Sequence, residues 1–205
     1  ARNSRPGSRP RASGMMRSMS RIRSSVSTAA VIACLALPPF AAPQKTRTEI
    51  TKATTPEQDS KPNTASVPDV YAVPTQFERV LVLRFKYQAD LLAGIEKMVN
   101  QHKIRNAVFL SGIGSLRNYH VHSVSNRTFP SKNLFVKDAS TPADIVSING
   151  YVIDGRVHAH MTLSDGDKAF GGHIEADNPV FTFAIVTLGV FPDSVDFKRL
   201  DDKTF

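Results

Sequence analysis

Three of the six histidines in this 205-residue chain have a spacing that could bind a metal ion. His158 and His160 alternate along one apparent β-strand, and His173 lies on the next. Between the two strands, Gly166 and Asp167 predict a two-residue type II′ turn, because that turn favours glycine at its first central position. The turn sets the register of a β-hairpin, and in this register His160 lies opposite His173.

The same register separates apolar from polar side chains, as expected for a hairpin with one buried face. It places His158 opposite Glu175 on the polar face. The other face receives only apolar or small residues, namely Val157, Ala159, Met161, Leu163, Phe170, Gly172 and Ile174. Opposed β-carbons in such a pair are about 4.5–5.5 Å apart, so three imidazoles can converge on one ion.

Three histidine ligands with a free fourth position are typical of an open zinc-type site. We therefore predict that His158, His160 and His173 bind a divalent metal ion, with zinc as one candidate. The alternative is that these histidines form a solvated polar face or hydrogen bonds between subunits. Spacing alone assigns no catalytic residue and no organic cofactor, and it leaves open whether the protein is an enzyme.

Glu175 and the remaining histidines are open to several interpretations. Glu175 could orient a metal-bound water, act as a base, serve as a fourth ligand or hydrogen-bond to a ligand. His120 and His122 share one face of another apparent strand, and we interpret them as surface or interface residues because no third partner is placed beside them. His102 falls in the last turn of a predicted helix, where an imidazolium suits the helix dipole.

The elements that carry these residues predict an α+β fold with a mostly antiparallel sheet and one clear helix. The helix, at 91–102 with Asp90 as its N-cap, connects two strands as a right-handed parallel crossover. The strand at 180–188 is apolar on nearly both faces, which predicts a central strand covered on both sides. Strands are predicted at 80–87, 106–111, 119–124, 145–153, 157–163, 170–176, 180–188 and 195–199. One short helix cannot cover such a sheet, so we expect a homo-oligomer.

The positive charge of the chain is confined to its N-terminus. Residues 1–24 contain seven arginines and no acidic residue, whereas residues 69–205 contain fifteen basic and fifteen acidic residues. A neutral domain has no electrostatic basis for binding phosphates, so we do not expect it to bind nucleic acid. The single cysteine excludes a disulfide framework and a cysteine-based zinc cluster within one chain.

The N-terminal composition also predicts export. Residues 15–42 have the order of a signal peptide, with arginines, a short apolar run and then small residues. We interpret residues 1–14 as non-native or upstream sequence, 43–68 as a flexible linker and 69–205 as the folded domain. The expected location is periplasmic or secreted. Residues 31–34 resemble a lipoprotein processing box, so membrane attachment is expected only if Cys34 is lipidated. We favour ordinary cleavage near Ala41 or Ala42, which would remove Cys34.

Three segments of the domain resemble the PPC (plant and prokaryote conserved) domain. They are residues 111–117 (SGIGSLR), 158–165 (HAHMTLSD) and 171–173 (GGH). This domain occurs alone in bacteria and archaea and behind AT-hooks in plant nuclear-localised proteins. The resemblance covers about residues 76–200 and implies an α+β homotrimer with a metal ion at the positions of His158, His160 and His173.

The chain departs from the plant members in two places. Their Gly-Arg-Phe-Glu-Ile-Leu segment, which contacts partners, has no counterpart, and the nearest stretch is residues 147–152 (SINGYV). The AT-hook core Arg-Gly-Arg-Pro is also missing from the sequence. The preferred hypothesis is therefore an exported homotrimer whose three-histidine metal site takes an unknown small ligand or substrate. The alternative is a DNA-binding or protein-interaction module without catalytic activity.

Overall fold

Nine strands form one antiparallel sheet in the computed structural model of the chain, which describes residues 45–51, 68, 70–128 and 131–200. The strands are β1 (Thr46–Thr51), β2 (Arg79–Phe85), β3 (Ala107–Leu116), β4 (Tyr119–Val124), β5 (Lys132–Asp138), β6 (Ala143–Ile153), β7 (Arg156–Ser164), β8 (Ala169–Ile174) and β9 (Val180–Val190). Across the sheet their order is β1-β5-β4-β8-β7-β6-β3-β9-β2. In this part of the chain one α-helix, α1 (Leu91–Gln101), accompanies the sheet, which confirms the predicted α+β class.

The helix α1 connects β2 and β3, as predicted. Its N-cap is Asp90, whose Oδ1 accepts a hydrogen bond of 2.9 Å from the backbone N–H of Ala93. The two strands run parallel to each other, but β9 lies between them and pairs antiparallel with both. The apolar stripe of α1 buries Leu91, Ile95 and Val99 in the main core. We call the side of the sheet that α1 covers the inner face.

The opposite side, which we call the outer face, is partly apolar and exposed. In β9, Ala184 and Val186 are buried on the inner face, whereas Phe181 and Phe183 are 47% and 40% exposed. The prediction that this strand is covered on both sides is therefore wrong for the described chain. An apolar residue pattern shows that a face favours burial, but it does not show that the same chain supplies the cover.

Residues 46–51 also differ from the prediction. The polar composition assigns them to a flexible linker, but they form β1 and pair with β5 at the edge of the sheet. Next to this strand, Lys45 Nζ donates a hydrogen bond of 2.7 Å to the hydroxyl of Tyr119. An edge strand obtains its hydrogen bonds from a neighbouring backbone and needs no apolar face of its own, so composition alone does not reveal it.

The structure differs from the prediction at two other elements. The strand β5 is absent from the predictions, because lysines and an asparagine interrupt its apolar alternation. The prediction of a strand at 195–199 is wrong, since Lys198–Leu200 is a short 3-10 helix. Near it, the ring of Phe197 packs 4.9 Å from that of Phe191, centroid to centroid, in a small second apolar cluster.

Several predictions concern parts of the chain beyond the described ranges. The predicted signal peptide, with Cys34, and residues 1–14 lie outside the described residues, as do residues 43, 44 and 52–67 of the predicted linker. Export, cleavage and lipidation therefore stay predictions. Of the helices that the structure describes, none has the length and apolar character needed to cross a membrane.

Candidate metal centre

The hairpin formed by β7 and β8 has the predicted register. His160 is the Cα partner of His173, and Ser164 is the partner of Ala169 next to the turn. At the turn, Gly166 has a φ of +94°, which glycine adopts without steric strain. The hairpin's inner face buries the expected apolar residues, among them Ala159, Met161, Leu163 and Ile174. The alternation of the strands therefore directs the three histidines to the outer face.

A row of paired residues shows that this cluster shares its face with the exposed apolar side chains. Each residue of the row pairs with the next one on the neighbouring strand. In order, they are Val80 of β2, Gly189 of β9, Val108 of β3, Tyr151 of β6 and His158 of β7. Residues paired across an antiparallel sheet point to the same side. The histidines therefore lie on the outer face, away from α1.

The three histidines converge as the register requires. The ring centroid of His173 lies 5.0 Å from that of His158 and 5.1 Å from that of His160. One ring nitrogen of each residue lies within 4.8 Å of those of the other two. His158 and His160 are exposed, and His173 is half-buried. The three donors are thus close enough together for one ion to approach all of them from solvent.

The pKa values of two of these residues favour the form that binds metals. Burial, followed by repulsion from the neighbouring His122, His158 and His160, lowers the pKa of His173 to about 4. Burial together with His158 and His122 also lowers the pKa of His160. Imidazole ligates a metal through a lone pair that only its neutral form has. Near pH 7 both rings are therefore in the form that a divalent ion requires.

His122 belongs to the same cluster, although its spacing suggested a surface or interface residue. The strand β4 pairs with β8, so His122 is the Cα partner of His173 and their ring centroids are 4.6 Å apart. The ring of Phe135 packs against it at 4.8 Å. In the sequence, the alternation of His120 and His122 indicates that the two residues share one face of a strand. No feature of the neighbouring residues indicates that this strand pairs with β8.

Glu175 contacts His122 and not His158, which corrects the predicted pairing. The strand β8 ends at Ile174, and the backbone N–H of Glu175 donates a hydrogen bond of 3.2 Å to the carbonyl of His120. Its carboxylate Oε1 lies 2.5 Å from Nδ1 of His122. The chain has left β7 at this point and follows β4, so a register extrapolated from the hairpin turn no longer applies.

Two glycines let the three strands approach closely enough for this arrangement. A β-carbon at Gly171 would collide with the carbonyl oxygen of Met161 on β7. A β-carbon at Gly172 would collide with the carbonyl oxygen of His122 on β4. The Gly-Gly-His segment therefore allows His173 to have a histidine partner on each side.

Comparison with family models identifies the domain. A family model of the Plants and Prokaryotes Conserved (PCC) domain matches residues 73–192, which is more than half of the chain. The chain belongs to the PCC domain family. This is the domain called PPC above, so the resemblance is confirmed. The matched part of the PCC domain contains every histidine of the cluster and Glu175, whereas β1 lies outside it.

Solved structures share this fold. The PCC chain is similar to a metal-containing protein from Archaeoglobus fulgidus, with a TM-score of 0.55, 20% identity and coverage of 66% of this chain and 95% of that one. It is also similar to a plant- and prokaryote-conserved protein from Pyrococcus horikoshii, with a TM-score of 0.52, 23% identity and coverage of 63% and 90%. At these identities the likeness shows the fold alone. No curated protein sequence matches the chain.

The two remaining histidines of the PCC domain, His102 and His120, belong to neither group of possible metal ligands found among the described residues, which are His158, His160 and His173, and His122, His173 and Glu175. Nδ1 of His120 is 3.0 Å from the carbonyl oxygen of Ala176. His102 is the C-cap of α1, and its backbone N–H donates to the carbonyl of Met98. Neither residue needs a metal to explain its position.

A groove of about 350 Å³ opens beside His160. The residues that line it include Asn149, Thr162 and Gly171. A second concavity of about 380 Å³ lies at the turn end of the hairpin, but no histidine lines it. Of these two concavities, the groove beside His160 could bring a small molecule to the histidines of the PCC domain.

Proposed function

We propose that this PCC-domain protein is an exported homotrimer in which His158, His160 and His173 bind a divalent metal ion next to a site for a small ligand. The observation that carries the proposal is the convergence of three imidazole nitrogens within 4.8 Å of one another. Imidazole ligands suit zinc and several transition metals. A bound ion would supply Lewis-acid chemistry toward a carbonyl or anionic group.

Two further features support a metal and a small ligand. The similar structure from Archaeoglobus fulgidus is described as that of a metal-containing protein. The groove beside His160 has about the volume of a small-molecule site, and Asn149 and Thr162 offer hydrogen bonds within it. These residues would hold and orient a ligand.

Assembly with further copies of the chain is supported by the outer face, and the number of three is what the family resemblance implies. Val82, Phe181 and Phe183 are all at least 40% exposed there, and exposed apolar surface of this kind marks contact with another chain. Export is supported by the signal-peptide pattern of residues 15–42. The alternative is a DNA-binding or protein-interaction module, and its DNA-binding form has less support, because residues 69–205 carry fifteen basic and fifteen acidic residues.

The proposal is tested by measuring zinc affinity in competition with a chromophoric chelator. Replacing His160 with alanine should weaken binding by more than about tenfold, since even outer partners of metal ligands contribute about 10–100-fold. The matched control is His120→Ala, which removes an imidazole outside both groups of donors and should leave the affinity unchanged. Equal affinity of wild type, His158→Ala and His160→Ala would contradict the proposal, as would a wild type that binds no zinc, manganese or nickel.

A further inference from the structure

We propose that His122, His173 and Glu175 form a second position for a divalent metal ion, which shares His173 with the three-histidine position. One potential ligand atom from each of the three residues lies within 4.8 Å of those of the other two. The position goes beyond the proposed function, because it requires neither His158 nor His160.

The fold places His173 between two groups of donors. On one side it pairs with His160 of β7, and on the other with His122 of β4. All three residues of the second position are half-buried, whereas His158 and His160 are exposed. The side chains of His122 and Glu175 are 19% and 26% exposed, so both are partly removed from competing water.

A buried asparagine holds Glu175 at this position. Asn178 is fully buried, and its Nδ2 donates hydrogen bonds to the carbonyls of Glu175 and His120, at 2.5 and 3.0 Å. Its Oδ1 accepts from the backbone N–H of His120 at 2.9 Å. These bonds fix the backbone of Glu175 against β4, so its carboxylate reaches His122, two residues further along that strand. The carboxylate is therefore positioned by the fold.

The chemistry of the second position differs from that of the first. Two imidazoles and one carboxylate are the ligands of several catalytic zinc sites and of non-haem iron(II) sites. The carboxylate of Glu175 adds a negative charge that three neutral imidazoles lack, which favours a doubly charged ion. However, Glu175 already bonds to Nδ1 of His122, and an ion must displace or rearrange this bond. The second position should therefore bind more weakly than the first.

The other role available to Glu175 is to orient His122 through its hydrogen bond without binding an ion. Removing the first position separates the two roles. We expect the full chain carrying both His158→Ala and His160→Ala to bind one cobalt(II) or zinc ion per chain, more weakly than wild type. Adding Glu175→Gln should weaken this remaining binding by more than about tenfold, because glutamine keeps a hydrogen bond to His122 but loses the charge.

The measurement is metal titration of each variant by calorimetry, with cobalt(II) absorption reporting the ligands. Circular dichroism checks the fold, and His120→Ala in the double variant is the matched control, expected to bind like its parent.

If the double variant binds no ion while wild type does, the second position is overturned and the three-histidine position stands. If Glu175→Gln alone abolishes binding and the double variant binds like wild type, the second position stands and the three-histidine position is wrong. If the double variant binds the metal equally tightly with and without Glu175→Gln, the second position is also overturned.

Discussion

His173 is the residue on which the cluster depends, because it has a histidine partner on both neighbouring strands. Its ring is held neutral by burial and by the three surrounding imidazoles, which lower its pKa to about 4. Protonating any one of these rings raises the cost of protonating the others. Histidines that repel each other when charged are stabilised by an ion, which binds imidazole only in its neutral form.

The metal-free protein should lose stability between pH 6.5 and about 4. Because the pKa of His173 falls from 6.5 in the unfolded chain to about 4 in the fold, the unfolded chain binds the proton more readily. The stabilising contribution is complete above pH 6.5 and is lost as the pH falls toward 4. The melting temperature, followed by circular dichroism with a chelator present, should therefore decrease over this range. His173→Gln should flatten the decrease, and a parallel decrease in both proteins would contradict this assignment.

At the scale of elements, the corner between β8 and β9 connects the site to the helix. The backbone N–H of Asn178 donates a hydrogen bond of 2.7 Å to Oδ2 of Asp90, the residue that also caps α1. The side chain of Asn178 binds the backbones of His120 and Glu175. One buried amide and one carboxylate therefore hold the end of β8, the start of β4 and the start of α1 together.

Replacing Asn178 with alanine should destabilise the fold by about 3 kcal/mol, because each buried backbone group left without a partner costs about 1–3 kcal/mol. Urea unfolding would measure the loss. The matched control is Asn118→Ala, since Asn118 is half-buried and donates to the carbonyl of Asp177 at 3.1 Å. It should cost less than about 1 kcal/mol. Equal losses in the two variants would show that the hydrogen bonds of Asn178 do not hold this corner.

At the scale of the whole molecule, the sheet has a covered and an uncovered side. The helix and the core residues occupy the inner face, while Val82, Phe181 and Phe183 remain exposed on the outer face. The histidine cluster shares the outer face with them. A subunit bound to these apolar side chains would therefore lie on the same side of the sheet as the metal centre. Subunit assembly and metal binding would then use the same face of the sheet.

A negative charge introduced on the outer face tests whether this face holds the subunits together. Replacing Phe183 with aspartate should convert the expected trimer into monomers that keep their secondary structure, because a carboxylate is costly to bury in an apolar contact. Multi-angle light scattering measures the mass, and circular dichroism measures the fold. The control is Glu96→Lys on the exposed side of α1, which should leave the mass unchanged. A wild-type monomer, or a trimer that survives Phe183→Asp, would contradict the prediction.

Local chemistry was sufficient for the hairpin that carries the first site. The turn at Gly166 and the alternation of apolar residues placed His160 opposite His173, and the structure has this pairing. Asp90 and the apolar spacing after it similarly predicted α1. In both cases the information lies within a few residues of the element concerned, because turn type, capping and residue periodicity are local properties of a chain.

Only the tertiary structure decided which distant strands are neighbours. The pairing of β4 with β8 brings His122 to His173, and the end of β8 directs Glu175 to His122 and away from His158. The edge strand β1 and the exposed outer side of β9 were decided in the same way. Backbone hydrogen bonds between strands are the same for nearly every residue type, so the local pattern of a strand shows which face it buries but not which distant strand it pairs with.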